Sequence, residues 1–221
     1  MLARLVDNIN ERKGRVGSGI VGLLYLFKAV MENGRDDLVY LMLTRDDYQS
    51  WLHMINSGAT GIWESWDGGD NSYNHPTPGC IGAWLYQGLG GIRRDPATPA
   101  FKRFVIKPAV VGDLAWVKCS YPSVHGKIEG NWRREGRKLR LEVTIPVNTT
   151  APVHVPNSQP DAVLESGKPA AKANGVKLVK MEKDYAVPEV TSGCYSFEAK
   201  GLGSRGAYCR SPETGHNYPK G

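Results

Sequence analysis

The sequence predicts two parts of different class: helical hairpins over residues 1–95 and an antiparallel β-sandwich over residues 96–199, with a mobile tail over 200–221. Three observations support this. Apolar residues recur with a period near 3.6 up to Leu89, and from Phe101 onward they alternate in short runs. Between the two patterns lies a proline-rich link, Arg94-Asp95-Pro96-Ala97-Thr98-Pro99.

Size and composition agree with two units. The chain has 221 residues, more than the common single-domain size, and its 41% hydrophobic and 23% charged content is enough to bury a core. The net charge of +6 is spread among interspersed acids and bases. With no basic helix and no zinc-ligand spacing, no nucleic-acid partner is expected. The densest run, Arg133-Arg134-Glu135-Gly136-Arg137-Lys138, reads as a solvated hairpin tip.

Taken in order, Leu2, Leu5, Val6 and Ile9 lie at helical spacing and predict an amphipathic helix that begins almost at the first residue, which suggests a truncated domain. From Ile20 a broad apolar stripe through Leu23, Leu24, Phe27, Val30 and Met31 runs to Asn33-Gly34; Val21, Tyr25 and Leu26 widen it, so this helix is expected to be buried on most sides. Asp36 and Asp37 suit the start of a short helix through Met42. Asp46 or Asp47 is positioned to cap the next, which carries Tyr48, Trp51, Leu52 and Ile55. Ile81, Trp84, Leu85 and Leu89 make a last helix ending at Gly90-Gly91. Tight links between successive helices favour antiparallel hairpins.

After the link, Phe101–Lys107 and Leu114–Tyr121 read as strands, and Lys127–Trp132 with Leu139–Ile145 as a hairpin around Glu135-Gly136. Val153, Val155 and the run Gly193–Phe197 continue a series typical of a sandwich, whereas the segment from Asn157 to Glu182 is hard to read. Asn148-Thr149-Thr150 matches the N-glycosylation pattern and is read as a turn between strands.

The four cysteines, Cys80, Cys119, Cys194 and Cys209, are scattered without a C-x-x-C pair and are read as free thiols. His53, His125, His154 and His216 have no acid or cysteine at ligand spacing, so no metal and no cofactor are expected. There is no apolar leader with a small-residue cleavage site and no run of membrane-spanning length, so no membrane partner is expected and the compartment stays open.

Chemistry concentrates in Gly61-Ile62-Trp63-Glu64-Ser65-Trp66-Asp67-Gly68 and the following Asn74-His75-Pro76. An acid between two indoles suits a sugar cleft, since indole faces stack on pyranose rings and carboxyl groups act on the glycosidic bond. The spacing of Trp63 and Trp66 leaves one ring to pack inward and the other to face a ligand, without saying which. On its own residues His75 is as readily a loop histidine bonded to backbone as a ligand contact, and Pro76 biases it toward extended backbone; Trp66 and His75 are carried forward as the candidate sugar contacts. Asp67 and Asp70 adjoin glycines and suit a turn better than catalysis. A packed corner with no chemistry is the bland alternative.

These residues resemble bacterial α-L-rhamnosidases. Gly58 to Gly68 resembles that family's signature, and Asn74-His75-Pro76, Gly82-Ala83-Trp84-Leu85-Tyr86, Phe101 to Pro108, Gly112 to Lys118, Trp132 to Gly136 and Ile145 to Thr150 continue the likeness in collinear order over roughly residues 1 to 199. The resemblance implies partial (α/α)6-barrel helices followed by an antiparallel β-sandwich, and hydrolysis of terminal α-L-rhamnosides with inversion. It implies that the glutamate matching Glu64 is the general base and that the histidine matching His75 contacts the sugar. The implied partner is a rhamnose-containing glycoside or polysaccharide. Where the family usually has threonine the chain has Gly61, read as loosening the loop. The earlier helices that hold the general acid are absent, so the expected role is a fragment with little activity alone; the alternative is a non-catalytic carbohydrate-binding or structural remnant.

Overall fold

The computed structural model describes residues 2–69, 71–157, 162–182 and 184–200. Five helices come first: α1 (Leu2–Glu11), α2 (Ile20–Glu32), α3 (Asp36–Leu43), α4 (Trp51–Asn56) and α5 (Ile81–Trp84), the last continued by a π turn over Leu85–Leu89. Their shared core takes Val16, Leu23, Phe27, Val30, Leu38, Met42, Trp51 and Trp84. Among the described residues no helix is long and apolar enough to cross a membrane.

Two helical expectations are corrected. α2 buries Leu23, Phe27 and Val30, but Val21, Leu24 and Tyr25 are 82%, 52% and 67% exposed, because among the described residues no element covers that side of the stripe. The cap of α4 is Ser50, whose Oγ accepts the His53 amide at 3.0 Å. Asp47 instead pairs with Arg15 at 2.8 Å and with Arg45 at 2.5 Å, which ties the chain before α4 to the link between α1 and α2. Asp36 and Asp37 do open α3; Asp36 is buried and accepts the Trp84 indole N–H at 2.8 Å.

The rest is antiparallel sheet. A short pair, β1 (Ile92–Arg94) with β2 (Phe104–Ile106), leads into it. A seven-stranded sheet follows, in the order β10 (Lys168–Pro169), β9 (Val163–Glu165), β13 (Gly193–Lys200), β6 (Lys138–Ile145), β5 (Gly126–Glu135), β3 (Trp116–Val117), with β4 (Ser120–Ser123) also on β5. A four-stranded sheet pairs β11 (Val176–Glu182) with β12 (Tyr185–Val190), and β12 with β7 (Ala151–Pro152) and β8 (Val155–Pro156). The two larger sheets share one core, in which Ile128, Leu141 and Phe197 meet Ala151, Val155 and Val190. Alternate burial along β6, with Leu139, Leu141, Val143 and Ile145 inward, is the period-2 pattern that marks a half-buried strand.

The expected β5–β6 hairpin is present, but Arg133 and Arg134 lie within β5 and the tip is narrower than expected, with Gly136 at φ +57°. The strand expected over Phe101–Lys107 shortens to β2, because Ala100 and Phe101 have positive φ. That expected over Leu114–Tyr121 splits into β3 and the start of β4. The hard-to-read segment holds β9, β10 and β11. Cys80, Cys119 and Cys194 are free thiols. Cys209, His216 and the expected tail beyond Lys200 lie outside the described residues.

Helices and sheets are joined by specific contacts. The amide of Ala109 donates to the Gly88 carbonyl and that of Lys107 to the Gly91 carbonyl, both at 2.8 Å. The Trp132 indole N–H donates to the Leu89 carbonyl at 2.9 Å, and Ala109 and Val111 bury their side chains in the helical core.

Candidate active site

The Trp/Glu loop is a closed excursion between α4 and α5. α4 ends where Gly58 adopts φ +88° and the Ala59 amide donates to the Met54 carbonyl at 3.0 Å, a glycine-closed helix end. The outgoing and returning arms are then linked by two backbone bonds: Glu64 N–H to the Ser72 carbonyl at 2.8 Å and His75 N–H to the Ile62 carbonyl at 2.7 Å. At the base, the buried Trp51 indole N–H donates to the Pro78 carbonyl at 3.0 Å, which fixes the returning arm to α4. A loop tied at neck and base holds its side chains with less conformational freedom than a free one.

Glu64 is half-buried on the outgoing arm. The Ser72 amide donates to its Oε2 at 3.3 Å, so one carboxylate oxygen is held by the opposite arm, and among the described residues no hydrogen bond reaches Oε1. His75 is half-buried on the returning arm. Its Nδ1 accepts the Thr77 amide at 3.2 Å, which places the ring proton on Nε2 and leaves that nitrogen as a donor. An acceptor on one arm and a donor on the other is the polar pair that a sugar hydroxyl or a bound water requires.

The two indoles have different neighbours. Trp66 packs edge-to-face on Trp51, with ring centres 5.0 Å apart, at the margin of the helical core. Trp63 meets Tyr73 edge-to-face at 5.9 Å and covers Gly68, where a β-carbon would come within 2.6 Å of the ring. Both remain half-buried, so each keeps part of its ring open. Tyr73, 60% exposed, is the aromatic that sequence reasoning missed. Its only signal was an aromatic residue directly before Asn74-His75 in an otherwise polar stretch.

Asp67 Oδ1 accepts the Gly69 amide at 3.4 Å, a local turn bond. Asp70 lies outside the described residues. Gly61 does not loosen the loop: a β-carbon there would stand 2.6 Å from the Tyr73 carbonyl oxygen, so the glycine lets the two arms close. Among the described residues, no group of three His, Cys, Asp or Glu side chains is placed to hold a metal ion.

Helical hairpins that run into an antiparallel β domain, with an acid and aromatic rings on a tied inter-helix loop, define the class of architecture. Residues 1–89 match the bacterial alpha-L-rhamnosidase 6 hairpin glycosidase domain, and residues 91–169 match the bacterial alpha-L-rhamnosidase C-terminal domain. The chain belongs to this family of glycoside hydrolases. It is 30% identical over 207 residues to an alpha-L-rhamnosidase of Formosa agariphila, a match covering 89% of this chain and 22% of the relative. With one from Streptomyces avermitilis it shares 30% identity over 204 residues, covering 88% and 19%. Solved alpha-L-rhamnosidases superpose on it: that of Dictyoglumus thermophilum with TM-score 0.80 and 30% identity over 90% of this chain and 23% of the other, and that of Streptomyces avermitilis complexed with L-rhamnose with TM-score 0.80 and 30% identity over 90% and 19%. The chain thus spans about a fifth of the length of the relatives it matches.

Proposed function

We propose that this chain supplies one wall of a cleft that hydrolyses terminal α-L-rhamnosides with inversion, with Glu64 as general base and with His75 and Trp66 against the sugar. The supporting observation is the Glu64 carboxylate, held through Oε2 by the Ser72 amide, while among the described residues no hydrogen bond occupies Oε1, the oxygen that would take a proton from water. In an inverting reaction the base deprotonates the water that attacks the anomeric carbon, and an acid roughly 6.5–9.5 Å away protonates the leaving oxygen. Asp67, the acid nearest in sequence, bonds its own turn, and the family resemblance implies a proton donor carried by other helices of the hairpin domain. The substrate class is a rhamnose-containing glycoside or polysaccharide, as the names of the relatives suggest. We place the helical unit at residues 1–95 and the β unit at 96–199, with β1 reaching across the join to pair with β2.

The test is an aryl α-L-rhamnoside assay of the 221-residue chain and of a longer protein that contains it. The chain alone is expected to have little activity, and efficient turnover by it would end the assignment of the acid to another part. In the longer protein Glu64→Gln is expected to lower kcat by about 10²–10⁴-fold, the usual contribution of a general base, and an unchanged rate would remove Glu64 from that role. The local engagement of Asp67 also favours a second reading, in which this chain binds sugar without turnover; a saturable change in tryptophan fluorescence with L-rhamnose, without hydrolysis, would mark that case.

A further inference from the structure

The solvent face of the seven-stranded sheet has a feature unrelated to Glu64. Strand register sets Trp116, Arg133, Arg140 and Glu198 side by side in one row across β3, β5, β6 and β13. Residues directly opposite across paired strands share a face, so this row points away from the partly buried Val117 and the buried Trp132, Leu141 and Phe197. With strands about 4.8 Å apart the row is roughly 14 Å long, room for several sugar rings. It floors an open groove of about 680 Å³.

The groove has the components of a glycan platform. Trp116 is 58% exposed and offers a flat apolar face at one end. Arg140 is held by Glu198 at 3.1 Å, so its remaining N–H donors are fixed in direction. Arg133 lies between Trp116 and Arg140 and, among the described residues, makes no ion pair; Lys118 and Lys138 on the same groove are likewise unpaired. The lining carries five cations against three carboxylates, an excess that favours an anionic ligand. A single exposed indole beside guanidinium groups suits a chain of rings with apolar C–H faces and pendant anions.

We propose that this face binds an anionic polysaccharide, with Trp116 stacking on a sugar ring and Arg133 and Arg140 taking its carboxylate or sulfate groups. The proposal is independent of the role assigned to Glu64. Affinity electrophoresis of the 221-residue chain in gels containing polygalacturonate, dextran sulfate, neutral dextran or single-stranded DNA tests it. Retardation by polygalacturonate would identify carboxylate as the recognised group, and retardation by dextran sulfate alone would identify sulfate; neutral dextran is expected to have no effect. Trp116→Ala and Arg133→Ala should each weaken retardation at least about tenfold, as expected for an aromatic or arginine anchor, with unchanged circular dichroism, whereas Glu64→Gln should leave it intact. Absence of retardation by either charged glycan would overturn the proposal. So would retardation by DNA equal to that by glycan and insensitive to Trp116→Ala, since that is attraction to any polyanion.

Discussion

His154 is the side chain most at odds with its surroundings. It is 7% exposed, its Nε2 lies 3.3 Å from Glu182 Oε2, and its Nδ1 has no partner among the described residues. Burial, then the nearby Lys107 charge, hold its pKa down at about 4; Glu182 pulls the other way, and Lys180 adds to the depression. Tyr185 packs edge-on against the ring, with the Lys107 ammonium 4.8 Å from the Tyr185 ring centre. A folded pKa below the unfolded value of about 6.5 means that the unfolded chain binds the extra proton first. The contribution of the neutral ring is therefore complete above pH 6.5 and is lost as pH falls toward about 4. At pH 5 the loss should be on the order of 2 kcal/mol relative to pH 7. Urea unfolding of His154→Gln at the two pH values should show a smaller difference than the parent; equal differences would remove His154 as the cause. Sequence alone gave no reason to single out His154, because burial and a missing partner are tertiary facts. Glu64 and His75 stand out as candidates in the sequence, because an acid between indoles and a histidine before proline are local patterns. The tethering of Glu64 by Ser72 was not legible there, since it depends on how the two arms close.

Among the elements, legibility followed the strength of the repeat. The β5–β6 hairpin was readable because alternate residues face one core without interruption. The short strands β1, β7, β8 and β10 carry two or three residues each, too few to show a period. α2 was misread for another reason: an apolar stripe implies burial only if something lies against it. Val21, Leu24 and Tyr25 stand at i, i+3 and i+4 and form one exposed ridge. The isolated chain should therefore self-associate as its concentration rises, and Leu24→Glu with Tyr25→Lys should shift sedimentation toward the monomer; identical sedimentation of parent and variant would place the contact elsewhere. At the join, Gly91 has φ +72°, and a β-carbon there would collide with the backbone of Lys107 and Pro108. Gly91→Ala combines a left-handed backbone with that collision and should cost about 2–4 kcal/mol, seen as a lower urea midpoint. A midpoint within error of the parent would show that the join can relax.

For the molecule as a whole, the helical core and the β core are packed against each other. Ala109 and Val111, which follow β2, are buried among helix residues, and Leu114 and Val117 pack against both cores. Calorimetry should accordingly record one transition, with calorimetric and van't Hoff enthalpies in agreement, and two resolved peaks would contradict this. The Trp132 indole gives this coupling an optical readout. It is rooted in β5, only 2% exposed, and bonded to the Leu89 carbonyl at the end of the helical segment. Separation of the two parts would bring water to that ring even if each kept its secondary structure. Red-shifted emission at constant far-ultraviolet ellipticity would therefore report undocking as an event distinct from unfolding, and Trp132→Phe would identify the band.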